Sequence, residues 1–177
     1  MSPPTAEPGW PVPAGWKHET VALPPQFAPT LPYHGTEELR FMPGFNEPTA
    51  PDYWSYVFVW CLDEPPAFDA ATSSEAFTTY FQGLATAVGG SKYLFDAARF
   101  RTVLTAQPAG DSQRLTGQAF SYDPFSTGLP ITLNLEVELR RCMATGKTAI
   151  VVTLSPRDVT DTLWITLRAS ANNVVCK

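Results

Sequence analysis

The stretch Tyr53-Trp54-Ser55-Tyr56-Val57-Phe58-Val59-Trp60-Cys61-Leu62-Asp63 is the one from which the fold of this chain is read. On an extended backbone Trp54, Tyr56, Phe58, Trp60 and Leu62 project to one side, and Ser55, Val57, Val59 and Cys61 to the other. Both sides are predominantly apolar, which predicts a central strand covered on two faces. Downstream, Thr72-Ser73-Ser74-Glu75 has the pattern of a capping box, in which a hydroxyl and a carboxylate satisfy the free backbone donors of a helix start. Phe77, Tyr80, Phe81, Leu84, Ala87 and Val88 then recur at helical spacing, and Gly89-Gly90 supplies a stop. The spacing predicts an amphipathic helix over 74–88 whose aromatic stripe packs on the aromatic face of the strand.

Outward from this pair, the second half of the chain reads as antiparallel sheet. Strands are expected over 98–106, 114–122, 131–142 and 148–155, with reversals at Gln107-Pro108-Ala109-Gly110-Asp111 and Thr145-Gly146. Ile131, Leu133, Leu135, Val137 and Leu139 alternate with polar residues, the mark of a strand with one wet face. Ser155-Pro156 followed by Asp158 favours a helix at the C-terminal end, carrying Leu163, Trp164 and Leu167. On the N-terminal side, Glu37 to Met42 reads as a strand closed by Pro43-Gly44. Hairpin-linked strands with two helices define an α+β class, here a curved antiparallel sheet of about six strands on one central amphipathic helix, with a C-terminal helix.

Fourteen of the 18 prolines lie in the first 66 residues. Residues 1–15 are Pro-rich and nearly uncharged, which predicts a flexible arm ahead of one α+β domain over 16–177. Trp16 is expected to dock on the body. Of the 177 residues, 44% are apolar and 16% charged, a composition that excludes disorder. No apolar run reaches the ~18 residues of a transmembrane segment. The net charge of −5 leaves no basic field for nucleic acid. A small molecule or another protein is the partner class that remains.

No motif specifies an activity or a cofactor. Glycine-rich phosphate loops are absent, and Ala144-Thr145-Gly146-Lys147-Thr148 ends like one only by coincidence with a hairpin turn. Cys61, Cys142 and Cys176 form no metal-type spacing with two histidines. Cys61 reads as a buried thiol on its strand. Cys142 and Cys176 are expected either to bridge, pinning the C-terminus in an oxidising compartment, or to stay free. Glu136 and Glu138 lie two apart on one strand. With Arg140 on the same strand, they form either opposite-charge ladders across the sheet with Arg99 and Arg101 or, as the sharper alternative, a paired-carboxylate site.

The run Glu37-Glu38-Leu39-Arg40-Phe41-Met42-Pro43-Gly44, together with Tyr53 to Trp60, resembles uncharacterised bacterial proteins made with an export signal. The resemblance covers about a third of the chain, and it implies a periplasmic or secreted location. Two function classes stand against each other. One is an exported binding or accessory domain without chemistry. The other is a small hydrolase or isomerase, sited where the N-terminal segment meets the mouth of the sheet. There His34 would be the base, Glu38 its orienting carboxylate, and Arg40 an anchor for an anionic or carbonyl group. Tyr33 and Phe45 would stand at the rim of the adjoining apolar cavity as ligand-binding residues.

Overall fold

A computed structural model describes residues 9–108, 113–142 and 145–176. Seven strands form one antiparallel sheet: β1 (Lys17–Leu23), β2 (Gly35–Phe41), β3 (Tyr56–Leu62), β4 (Arg101–Ala106), β5 (Gln113–Tyr122), β6 (Pro130–Arg141) and β7 (Thr148–Ser155). Their spatial order is β1-β2-β3-β7-β6-β5-β4. Helix α1 (Ala70–Gly89) carries the chain from β3 to the far edge at β4, and helix α2 (Leu163–Asn172) follows β7. The class is the expected α+β with a curved sheet. The additional strand is β1, whose short apolar content and flanking prolines hid it.

Strand β3 lies beside β7 at the centre, and all seven of its residues are buried. Tyr56, Phe58 and Trp60 face α1, where Phe58 stacks on Tyr80 with centroids 5.3 Å apart and Trp60 on Phe77 at 5.2 Å. Val57, Val59 and Cys61 face the opposite layer, built from α2 with Trp164, Leu167 and Ala171. The sheet is thus a middle layer, as the doubly apolar strand required.

Helix α1 begins a turn earlier than the sequence pattern predicts. Asp69, not Thr72, is the N-cap, and its carboxylate accepts from the Thr72 backbone N–H at 2.8 Å and from the Thr72 hydroxyl at 2.9 Å. An aspartate followed by good helix formers outcompetes the downstream box because a cap stabilises whichever first turn it can reach. Two hydroxyls further along the helix, each donating to a carbonyl one turn back, also accept from the sheet. Ser74 Oγ accepts from Leu104 N–H at 3.0 Å, and Thr78 Oγ1 from Thr102 N–H at 2.9 Å. Helix α1 therefore covers the outer edge of β4 and satisfies its backbone donors. Gly83 lets the chain at Phe27 approach the same helix, since a Cβ there would lie 2.1 Å from the Phe27 carbonyl oxygen.

Two expectations at the chain ends are corrected. The arm assigned to 1–15 is anchored from Trp10 onward; its first eight residues lie outside those described. Trp10 is buried and its Nε1–H donates to the Ser170 carbonyl at 3.0 Å. An indole left in water would expose a large apolar face, so it seats against α2. The cysteine pairing also differs: Cys61 is bonded to Cys176 and Cys142 is the free thiol, in place of a Cys142–Cys176 bridge. Cys61 projects toward the α2 layer, where the chain returning from α2 brings Cys176 to a Cα separation of 5.7 Å. Cys142 ends β6, two strands away from β3.

Candidate functional site

Strand β2 presents Glu37, Leu39 and Phe41 toward α1, and Thr36, Glu38 and Arg40 toward the opposite layer. This parity divides the sequence-predicted residues. Arg40 is 4% exposed and fully engaged: Nε donates to the Pro11 carbonyl at 3.2 Å, Nη1 to Leu39 at 3.0 Å and Nη2 to Trp10 at 2.8 Å. Its guanidinium also lies 4.2 Å from the Trp10 ring, and Glu38 is 3.7 Å away. Burial draws its pKa down and Glu38 raises it. Arg40 and Glu38 are thus brought together, as a clamp on the N-terminal segment. His34 is exposed, precedes β2, and lines neither cavity described below. It stands four positions from Glu38, roughly 13 Å along an extended chain.

On the other face lies a cavity of about 750 Å³ between α1 and β1–β3, open to solvent at one side. Phe27, Leu39, Phe45, Tyr56, Tyr80 and Leu84 contribute to its walls, and Lys17, His18 and Glu19 of edge strand β1 lie at its mouth. Phe45 is buried in its wall. Tyr33 is instead packed on Trp60, with centroids 5.0 Å apart, and does not line the cavity.

The buried carboxyl in this cavity is Glu37, which is 1% exposed. Oε2 accepts from Trp60 Nε1–H at 3.0 Å and Oε1 from the Tyr80 hydroxyl at 2.6 Å. Among the described residues no Lys, Arg or His forms an ion pair with it. Burial pushes its carboxyl up to about 7; the bonds from Tyr80 and Trp60 oppose the rise, and the charge of Glu19 adds to it. Burial and Glu37 together hold the Tyr80 and Tyr56 phenols well above their ordinary range. Sequence reasoning passed over Glu37 in favour of its neighbour Glu38. The available signal was its parity with Leu39 and Phe41, which places a carboxyl on the core side of the strand.

A second cavity, of about 480 Å³, lies between α2 and the opposite face of the sheet. Glu136 and Glu138 border it, each engaged by arginine: Glu136 by Arg168 at 2.6 Å, Glu138 by Arg140 at 3.0 Å and Arg114 at 3.5 Å. The ladder expected with Arg99 and Arg101 does not form, because β5 separates β4 from β6. No group of three His, Cys, Asp or Glu side chains among the described residues is placed to hold a metal.

No family model matches the chain, and no curated protein matches it. Among solved structures, the crystal structure of LpqN, involved in cell envelope biogenesis of Mycobacterium tuberculosis, is similar over 96% of this chain and 83% of that one. The identity is 14% and the TM-score 0.31, a likeness that does not bear on function.

Proposed function

We propose that this protein is an exported binding domain that takes a small, mainly apolar molecule into the cavity between α1 and β1–β3. The observation that carries the reading is that cavity: about 750 Å³, apolar-walled, with one buried carboxyl. Ligand pockets commonly span roughly 300–1,000 Å³ and combine apolar walls with a few fixed polar groups. Export is supported by the Cys61–Cys176 bridge, which fits an oxidising compartment. The resemblance of the Glu37–Gly44 and Tyr53–Trp60 segments to exported bacterial proteins agrees with it.

Titration with N-phenyl-1-naphthylamine, a neutral dye that brightens in apolar surroundings, tests the binding reading. Saturable one-to-one brightening is expected, and it should be abolished by Leu84→Trp, which fills the cavity from α1. Absence of brightening, or an unchanged titration in a folded Leu84→Trp variant, overturns the reading.

A further inference from the structure

The charges around the cavity are unbalanced. Glu19, Glu37 and Glu47 line it, against Lys17 and the imidazole of His18. Lys17 pairs in register with Phe41, whereas Glu37 lies opposite Val21, four positions further along β1 and roughly 13 Å away. The groups that face Glu37 are therefore neutral or acidic: Trp60 from β3, Tyr80 from α1, and Glu19 from β1 at the diagonal position. Tyr56 lies further along β3 on the same side, and Tyr33 stands behind Trp60.

A buried carboxylate without a cation is costly, and here each of its oxygens has only one neutral donor. The rings nearest to it belong to Tyr80 and Trp60, with Phe27 meeting Tyr80 edge-on at 5.2 Å. Tyr80 and Trp60 present their O–H and N–H edges to the carboxyl, so the charge of Glu37 in the wall of the cavity is the feature that draws a cation. Building on the reading of this cavity as a ligand site, we infer that its ligand class is an apolar molecule bearing a protonated amine, the ammonium seated against Glu37 and the apolar body against Leu39, Leu84 and Phe45. Ammonium binding requires Glu37 to be ionised, so a bound amine competes with the proton on that carboxyl.

Displacement of N-phenyl-1-naphthylamine by two near-isosteres, 1-naphthylmethylamine and 1-naphthalenemethanol, separates charge from shape. The amine is expected to displace the dye at roughly tenfold lower concentration than the alcohol at about pH 8, a preference equivalent to about 1.4 kcal/mol. Glu37→Gln should erase that preference while leaving displacement by the alcohol unchanged, and Glu75→Gln, at an exposed position of α1 outside the cavity, should leave both unchanged. In the wild type the preference should shrink as the pH falls from about 8 to about 5.5, through the range in which Glu37 takes up its proton. Equal displacement by amine and alcohol, displacement by neither, or a preference that survives in folded Glu37→Gln overturns the inference and leaves the binding reading standing. If Glu37→Gln fails to fold, the wild-type pH series decides alone, and a flat preference overturns it. A dye that does not bind at all removes the binding reading itself.

Discussion

The Tyr80 hydroxyl donates to Glu37 Oε1 across 2.6 Å, tying the middle of α1 to the second strand of the sheet through a carboxyl buried in the core. A hydroxyl that donates to a carboxylate makes a bond of this length because the acceptor carries charge. It also makes the stability of the fold sensitive to pH.

The carboxyl of Glu37 is raised from 4.5 to about 7 in the folded chain. Its stabilising contribution is therefore complete below about 4.5 and is lost as pH rises through about 7, by on the order of 3 kcal/mol. Urea denaturation across this range should show a downward slope attributable to Glu37, and Glu37→Gln should flatten it. A wild type and variant with parallel pH profiles would contradict the burial of an unneutralised carboxyl.

The bridge between Cys61 and Cys176 closes a loop of 115 residues. On the chain-entropy model such a crosslink stabilises the fold by about 4–5 kcal/mol. Reduction, or Cys176→Ala, should lower the denaturation midpoint accordingly. Alkylation of the unreduced, denatured protein should mark one thiol, Cys142; labelling of three would show that the bridge does not form.

Thr78→Val keeps the shape of the side chain while removing the acceptor for Thr102 N–H. The loss should be about 1–3 kcal/mol, the cost of an unpaired backbone donor. Hydrogen exchange at Thr102 should accelerate first, since the other strand contacts of β4 are untouched. Unchanged exchange there would mean that the edge is satisfied by water.

Arg40→Met removes the donors that hold the Pro11 and Trp10 carbonyls and retains most of the side-chain volume. Limited proteolysis should then cut on the N-terminal side of Lys17 at lower protease concentration than in wild type. Trp10→Ala should have the same effect and should also destabilise the fold by about 3–5 kcal/mol, the range for removing a buried indole. Equal cutting in all three proteins would deny the clamp its role.

The layers were legible because apolar periodicity is dense where they form. Tyr53–Asp63 and the Phe77–Leu84 stripe carry enough aromatic area to dictate their own partners, and both packed as the pattern predicts. Strand β1 was not legible: most of it is exposed at a sheet edge, where no buried face writes an alternation into the sequence. The buried carboxyl in the cavity wall was not legible either. Adjacent glutamates on a strand face opposite layers, so the choice between Glu37 and Glu38 turns on register alone. The disulfide was illegible for a different reason, because it depends on where α2 returns the chain over the sheet.

The strand order has a consequence for how the chain reaches its fold. Strands β1–β3 form one meander and β4–β7 another, each assembled from neighbouring hairpins, and in the sheet they are joined where β3 pairs with β7. Trp60 lies opposite Ile150, a separation of 90 residues along the chain, so this seam has the largest loop-closure cost in the sheet and closes late. Until then the two most apolar strands, Tyr56–Leu62 and Thr148–Ser155, are the open edges of their meanders. The native molecule has the reverse arrangement, with the polar β1 on one edge and the hydroxyl-capped β4 on the other. Any lag before the seam closes therefore exposes the sequences best suited to pairing with a second chain, and the yield of folded protein should fall with concentration more steeply than its final stability would suggest.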